Sequence, residues 1–140
     1  MSFLQQVTPL HIFVVTLRCE HSCPYCQVSR QSTDRSRFDM SEETAMKALD
    51  IAFSSPAGRI KIEFQGGEPL LNFPMIKTIV AAAKTRSGKK VDFVIASNLA
   101  LLDAAVLDFC RLNNILPSTS LDCPADLHNK NRPRPGGNSY

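Results

Sequence analysis

The residues best suited to chemistry are three cysteines close together in the sequence, Cys19, Cys23 and Cys26. They have the spacing C-x3-C-x2-C and follow an apolar run, Ile12 to Leu17. Thiolates grouped in this way select zinc, copper(I) or iron–sulfur clusters. The loop holds no fourth cysteine, so three protein ligands on a cubane cluster would leave one iron with an open position. An open position separates a catalytic metal site from a closed structural one.

Two other metal centres fit part of this pattern. Structural zinc would need His21 or His128 as the fourth ligand, yet only one C-x2-C half-site is present, and zinc sites usually show paired half-sites or a Cys2His2 spacing. A bacterial ferredoxin would need C-x2-C-x2-C-x3-C, and this loop lacks the last thiol. His21 stands between two candidate ligands and is more typical of a loop residue. The pattern favours an iron–sulfur centre and leaves zinc as the alternative.

A second candidate group is Gly66-Gly67-Glu68-Pro69. Two glycines and a proline are typical of a strand-to-helix turn, which is the structural interpretation. The functional interpretation uses the same glycines, because a backbone without Cβ can approach a ligand closely. Glu68 would then offer a fixed hydrogen-bond acceptor. We favour the functional interpretation.

Alternating strands and helices are predicted to position these groups. The helices are indicated by apolar residues at helical spacing: Ala45, Ala48, Leu49, Ala52 and Phe53 after the N-cap Ser41, then Ile76, Ile79, Val80 and Ala83 after Pro74, then Val106, Phe109 and Cys110 after the cap Asp103. The strands are predicted at 12–17, 60–64, 91–96 and 115–121. Residues 27–40 are predicted to form an irregular loop. This order predicts an α/β fold with about four parallel strands and three helices.

Polar residues follow each predicted strand. The cysteines follow the first strand, Gly66 to Pro69 the second, and Ser97-Asn98 the third, while Ser120 and Asp122 lie at the end of the fourth. In parallel sheets, ligands bind outside the carboxyl ends of the strands. We therefore expect one shared site at this edge.

Composition limits the class of protein. The chain has 140 residues, enough for one domain with a core, and a net charge of +3. Its basic residues are dispersed in predicted loops, so we expect no nucleic-acid partner. Five cysteines, three of them clustered, indicate a reducing compartment. The sequence has no signal-peptide pattern at its start and no apolar run near the ~20 residues that span a bilayer, so we expect a cytoplasmic protein without a membrane partner.

The motifs together resemble the radical SAM superfamily. Its third iron-binding cysteine follows an aromatic residue, here Tyr25, and Gly-Gly-Glu-Pro follows its second strand. The run Gln65 to Pro69, with Ser120-Leu121-Asp122 and His128…Arg132, is most similar to the peptide- and protein-modifying branch. Within that branch the chain resembles anaerobic sulfatase-maturating enzymes and the radical SAM maturase of the His-Xaa-Ser peptide system.

The resemblance implies the cofactors, the fold and the site. Cys19, Cys23 and Cys26 would hold a 4Fe–4S cluster that reductively cleaves S-adenosylmethionine to a 5′-deoxyadenosyl radical, for modification of a peptide or protein side chain. A reducing electron donor such as flavodoxin or ferredoxin is implied as a partner. The residues implied to contact S-adenosylmethionine are Tyr25, Gly66, Gly67, Glu68, Ser97, Asn98, Ser120 and Arg132. Cys110 is predicted to be a core residue. Cys123 stands where the family prefers glycine, and would be strained if that position has φ > 0.

The family fold is a (βα)6 partial TIM barrel, and the sequence supplies the elements of three and a half units. We expect residues 1–10 to be an N-terminal extension, 11–122 to hold these units, and 123–140 to form a loop leading to a fourth helix absent from the sequence. The expected domain is thus an incomplete radical SAM core, with one sheet edge unpaired. The alternative to an enzyme is an inactive module that binds only the cluster and S-adenosylmethionine.

Overall fold

The computed structural model describes residues 9–28 and 35–140. Most of the predicted N-terminal extension, and part of the predicted loop over 27–40, lie outside these residues. In the described part, strands β1 (Leu10–Thr16), β2 (Arg59–Gly66), β3 (Lys90–Ala96) and β4 (Ile115–Ser118) form one parallel sheet in the order β1-β2-β3-β4. The helices are α1 (Arg35–Phe38), α2 (Glu42–Ser54), α3 (Phe73–Lys84), α4 (Ala104–Asn113) and α5 (Ala125–Asn131). The prediction of an α/β fold with parallel strands is confirmed.

The core forms where apolar side chains from neighbouring strands meet. Phe13 pairs with Phe64 in the β1–β2 register, and Ile62 pairs with Phe93 in the β2–β3 register. The Phe64 ring stacks on the Phe93 ring, with centroids 6.1 Å apart. The predicted inward face of β2, including Ile62 and Phe64, is fully buried. These contacts fix the strand register, because a shift of one residue would turn the apolar side chains to the opposite face.

The three predicted helices cover this face. The Ser41 side chain accepts a hydrogen bond from Thr44 N (3.1 Å) and caps α2, and Asp103 accepts one from Val106 N (2.8 Å) and caps α4. The predicted stripe of α3 is buried along its whole length. Cys110 is buried on α4, as predicted. Each helix therefore begins at a side-chain cap or a proline and buries one apolar stripe.

The structure differs from the sequence prediction at its ends. Strand β4 ends at Ser118 instead of Leu121, and Pro117 cannot donate a hydrogen bond within it. Residues 123–140 are not a continuous loop, because α5 forms over Ala125–Asn131 with Asp126 in its first turn. The sequence did not indicate this helix, because the segment is polar and the residue that α5 buries is a histidine, His128. Helix α1 is a single turn of four residues that periodicity could not indicate.

The opposite face of the sheet is open in the described residues. Leu10, Ile12 and Val14 of β1 are exposed along one side of the strand, and Leu116 of β4 is exposed as well. Among the described helices, none combines the length and apolarity needed to span a membrane.

Candidate functional site

A cavity of about 210 Å³ lies at the carboxyl ends of the four strands. Segments that follow each of the strands contribute to its wall, as the polar residues at the strand ends predicted. All of the predicted site residues except Gly66 and Glu68 line it. Among the described residues, its lining is Cys19, His21, Cys23, Tyr25, Cys26, Gly67, Ala96, Ser97, Asn98, Ser118, Thr119, Ser120 and Arg132.

An ion pair between Arg18 and Asp39 fixes the start of the cysteine loop. Arg18 Nε and Nη2 each donate to one carboxylate oxygen of Asp39 at 2.8 Å, and Nη2 also donates to Leu71 O at 2.9 Å. The Thr16 hydroxyl donates to Asp39 at 2.7 Å. Both partners are about nine-tenths buried. Sequence reasoning missed this pair, although an arginine directly before the first cysteine was a visible signal.

The three cysteines differ in their surroundings. Cys19 and Cys23 are partly buried, and Cys26 is exposed. Burial raises the pKa of the Cys19 thiol to about 11 and also raises the pKa of Cys23. Without a metal these thiols are therefore protonated near neutrality. A metal cation would reverse that balance, because a coordinating thiol loses its proton.

The sulfur positions bear on the kind of metal centre. Around a single tetrahedral zinc with Zn–S bonds of ~2.3 Å, ligand sulfurs would lie about 3.8 Å apart. The sulfurs of Cys19, Cys23 and Cys26 do not all lie within 4.8 Å of one another. Three thiols spread around one cavity fit a multi-iron cluster better than one ion.

The Asn98 side chain holds the first ligand turn against the end of β3. Its Nδ2 donates to Glu20 Oε1 at 2.9 Å and to His21 Nδ1 at 2.8 Å, and its Oδ1 accepts from Ala100 N at 2.9 Å. The amide is thus bonded within the protein. His21 is buried, and burial lowers its pKa, so the ring is a neutral acceptor at Nδ1. Asn98 therefore acts on the cysteine loop, a role the sequence did not indicate.

The two glycines of the Gly-Gly-Glu-Pro group allow two chain segments to approach closely. A Cβ on Gly66 would lie 2.2 Å from Thr16 O, and one on Gly67 would lie 2.3 Å from Arg18 O. Because neither glycine has a Cβ, the two backbones come close enough to hydrogen-bond: Gly67 N donates to Thr16 O at 2.9 Å and Glu68 N donates to Arg18 O at 2.8 Å. We expected these glycines to let a ligand approach the backbone. In this structure the atoms that lie against them are the carbonyl oxygens of Thr16 and Arg18, which lead into the cysteine loop. Gly66 does not line the cavity, and Gly67 does.

Glu68 is fully buried and does not line the cavity. Its Oε1 accepts from Leu70 N (2.9 Å) and Ser97 Oγ (2.8 Å), and its Oε2 accepts from Asn98 N (2.8 Å). Burial raises the pKa of this carboxyl, and the three donors act in the opposite direction. The carboxylate of Glu68 thus joins the loops after β2 and β3, and its contact with S-adenosylmethionine stays a prediction. Ser97 is bonded to the Glu68 carboxylate and accepts from Leu99 N, so its hydroxyl caps the turn.

Tyr25 and Arg132 lie next to each other in the cavity wall. The Arg132 guanidinium carbon lies 5.5 Å from the centre of the Tyr25 ring. Ser120, from the loop after β4, is exposed beside them. His128 is buried, and its ring nitrogens contact Asp122 N (3.2 Å) and Ser139 O (3.1 Å), so it is not placed as a fourth ligand to the cysteines.

Cys123 is exposed. Among the described non-glycine residues, only Leu99 (φ 63°) and Asn114 (φ 53°) have positive φ. The strain considered for a cysteine at position 123 is therefore absent.

A larger cavity, about 470 Å³, lies at the opposite end of the sheet. Lys84, Arg86, Lys89 and Lys90 line it. Lys84 bonds Asn113 (2.6 Å), Arg86 bonds Asp50 (2.5 Å), and Lys89 bonds the Ser55 and Ala57 carbonyls. Arg86 and Lys89 lie in the loop before β3, as predicted, whereas Lys84 ends α3 and Lys90 begins β3, so the prediction that these charges all lie in loops is wrong for Lys84 and Lys90.

Comparison with known proteins identifies the family. Residues 13–139 match the sequence profile of the Radical SAM superfamily. The chain therefore belongs to the radical SAM superfamily, whose members are generally enzymes.

Three curated relatives are similar over most of this chain. An uncharacterised protein of Methanocaldococcus jannaschii is 32% identical over 112 residues, covering 79% of this chain and 37% of that protein. The radical SAM cyclopropyl synthase TigE of Paramaledivibacter caminithermalis is 26% identical, covering 82% and 27%. The cysteine-type anaerobic sulfatase-maturating enzyme of Clostridium perfringens is 27% identical, covering 81% and 32%. The chain thus spans about a third of the length of these relatives.

The fold matches a solved structure as well. Native anSMEcpe with bound AdoMet superposes with a TM-score of 0.78 at 24% identity, covering 92% of this chain and 37% of that chain. Native anSMEcpe with bound AdoMet and Cp18Cys peptide superposes with a TM-score of 0.75 at 23% identity, covering 91% and 34%. These likenesses show that the four strands and their helices form the N-terminal part of the same α/β fold.

Proposed function

We propose that this chain is the N-terminal part of a radical SAM core that binds a 4Fe–4S cluster and S-adenosylmethionine. The observation that carries the proposal is the cavity at the strand ends, where three cysteines face residues from the ends of β2, β3 and β4. A single structural ion would not require contributions from all four strands. Besides the thiols, the cavity wall offers hydroxyl, amide, aromatic and guanidinium groups.

Cys19, Cys23 and Cys26 would hold the cluster, which when bound supplies the electron that breaks the C5′–S bond of S-adenosylmethionine. Tyr25, Gly67, Ser120 and Arg132 would bind the nucleotide from the cavity wall. Arg132 is suited to a carboxylate or a ribose through its planar set of donors.

Gly66, Glu68, Ser97 and Asn98 have a supporting role in this proposal. Their bonds join the ends of β1, β2 and β3, so the groups of the cavity wall are held in place before a ligand arrives. Preorganisation of this kind lowers the ordering cost of binding.

The cavity is small for a nucleotide, because small-molecule sites commonly enclose about 300–1,000 Å³. The whole of S-adenosylmethionine would therefore not fit within this cavity. We propose that further strands complete the enclosure in the whole protein, since this chain spans about a third of its relatives.

The proposed substrate is a peptide or protein side chain, and the proposed electron donor is a flavodoxin or ferredoxin. Support for the substrate comes from relatives: an anaerobic sulfatase-maturating enzyme, and anSMEcpe, solved with a Cp18Cys peptide. A cytoplasmic, reducing environment would keep the cysteines available.

The test is release of 5′-deoxyadenosine. The chain is reconstituted anaerobically with iron and sulfide, reduced with dithionite, and given S-adenosylmethionine. We expect 5′-deoxyadenosine from the parent chain and from Cys123→Ser, and none from Cys23→Ser. Cluster formation without 5′-deoxyadenosine would instead support the inactive binding module.

One observation favours the zinc alternative. The ligand atoms of Cys19, Glu20 and His21 lie within 4.8 Å of one another, close enough for one ion. However, His21 Nδ1 and Glu20 Oε1 are both bonded to Asn98, so an ion there would have to displace these bonds.

A further inference from the structure

Asp122 contacts two residues of the cavity wall without lining the cavity itself. Its Oδ2 accepts a hydrogen bond from the Tyr25 hydroxyl at 3.1 Å, and its Oδ1 accepts one from Arg132 Nε at 3.3 Å. Tyr25 lies between Cys23 and Cys26 in the sequence, whereas Arg132 is at the end of α5. One carboxylate therefore joins the cysteine loop to a helix more than a hundred residues later.

Two further contacts bring the same segments together. The Arg132 guanidinium carbon lies 5.5 Å from the centre of the Tyr25 ring, within the range of a cation–π contact. Ser22 N donates to Pro133 O at 2.9 Å. The far side of the cysteine loop is thus attached to the segment from Asp122 to Pro133.

The backbone of Asp122 is itself held in place by His128 of α5. Its backbone N–H donates to Nδ1 of the buried His128, at 3.2 Å. That ring must then donate from Nε2 to Ser139 O, at 3.1 Å. With its backbone fixed by His128, the carboxylate can fix the directions of Tyr25 and Arg132.

We propose that Asp122 is a positioning residue for nucleotide binding. Its carboxylate holds the Tyr25 ring and the Arg132 guanidinium in the directions in which they line the cavity. This inference rests on the proposed function, because it assumes that these two residues contact S-adenosylmethionine. Without the Asp122 carboxylate, the Arg132 and Tyr25 side chains would no longer be held at the cavity wall. The affinity for S-adenosylmethionine would then fall, because both side chains would have to be ordered on binding.

The first test measures binding of S-adenosylmethionine to the iron–sulfur-loaded chain by anaerobic equilibrium dialysis. We expect Asp122→Asn and Asp122→Ala to raise Kd roughly tenfold, the scale of one lost charge-assisted hydrogen bond, with iron content unchanged. The matched control Asp126→Asn removes an exposed carboxylate of α5 and should leave Kd unchanged.

A triple variant separates positioning from a direct contact. If Asp122 acts through Arg132 and Tyr25, adding Asp122→Asn to Arg132→Met and Tyr25→Phe together should cause no further loss of affinity. A fully additive loss would overturn the proposal, as would an unchanged Kd in Asp122→Asn.

A second readout needs neither cluster nor nucleotide. The sequence has two tyrosines and no tryptophan, so in a Tyr140→Phe background all tyrosine emission comes from Tyr25. A phenol that donates to a carboxylate transfers its proton in the excited state and loses emission. Asp122→Asn should therefore raise the Tyr25 emission in the unloaded chain, while Asp126→Asn should not. Unchanged emission would overturn the Asp122 contact.

These outcomes are distinct from failure of the proposed function. If the loaded parent chain binds no S-adenosylmethionine, the proposed function fails and the positioning role fails with it, whatever the emission shows. If the parent chain binds and the Asp122 variants bind equally well, only the positioning role is overturned.

Discussion

At the scale of single residues, the site depends on a buried carboxylate that does not face the cavity. Glu68 accepts hydrogen bonds from Leu70 N, Ser97 Oγ and Asn98 N. Asn98 in turn holds Glu20 and His21 beside Cys19. Through this chain of bonds, Glu68 connects the loop after β2 to the wall formed by β3. Its effect on a ligand would be indirect.

We predict that Glu68→Ala weakens binding of S-adenosylmethionine and leaves the cluster in place. Three donors would lose their acceptor, so the turn after β3 would shift, and we expect Kd to rise roughly tenfold. Iron per chain should be unchanged, because the Arg18–Asp39 ion pair and the backbone bond from Glu68 N to Arg18 O do not involve the Glu68 side chain and still hold the cysteine loop. Equilibrium dialysis and iron analysis measure the two quantities.

Glu43→Ala is the matched control, since Glu43 is exposed and pairs with Lys47, which is also exposed on α2. Unchanged affinity in Glu68→Ala would refute the role of Glu68. Loss of iron together with affinity would show instead that Glu68 is needed to hold the cysteine loop.

The sequence predicted which residues gather at the site better than it predicted what they contact. Position at a strand end brought Ser97, Asn98 and Ser120 to the cavity, because parallel strands end at one edge. The direction of the Glu68 side chain could not be predicted, because two of its three donors, Ser97 Oγ and Asn98 N, are about thirty residues away. The partners of Asp122 were hidden for the same reason.

At the scale of elements, the cysteine loop is held where β1 ends by the Arg18–Asp39 ion pair. This pair has two parallel hydrogen bonds and is about nine-tenths buried. The chain also holds an exposed pair of the same residue types, Arg111 and Asp108, at 3.5 Å. The two pairs should contribute differently to the free energy of unfolding, because a charge left unpaired in the interior is costly whereas an exposed charge is solvated.

We predict that Arg18→Met destabilises the chain by about 3–5 kcal/mol, the usual cost of removing one partner of a buried ion pair. Arg111→Met should change the free energy of unfolding by about 0.5 kcal/mol or less. Urea denaturation of the unloaded chain measures both. Similar values for the two variants would contradict a structural role for the Arg18–Asp39 pair.

Elements were predictable where periodicity was long enough to be read. Helices α2, α3 and α4 have ten residues or more, and the alternation of β2 is clear, so the core could be predicted. Helix α5 has seven residues and little apolar character, so composition alone indicated a loop. Strand β4 was predicted too long, because its alternation continues past Ser118 although its pairing with β3 does not.

At the scale of the molecule, the sheet is covered on one face and open on the other. Leu10, Ile12, Val14 and Leu116 are exposed on the open face of the described sheet. The chain spans about a third of its curated relatives, so further strands in the whole protein would have an apolar surface to cover. Family membership is shown for this chain; the peptide substrate is a proposal about the whole protein.

The central claim is that Cys19, Cys23 and Cys26 hold an iron–sulfur cluster, and its most direct test is metal content. The chain is incubated anaerobically with iron, sulfide and an equal amount of zinc, desalted, and analysed for iron, sulfide and zinc per chain. We predict about four iron and four sulfide per chain, retained in Cys123→Ser and lost in Cys19→Ser, Cys23→Ser and Cys26→Ser. One zinc per chain with no sulfide, lost in His21→Ala as well as Cys19→Ser, would contradict the claim.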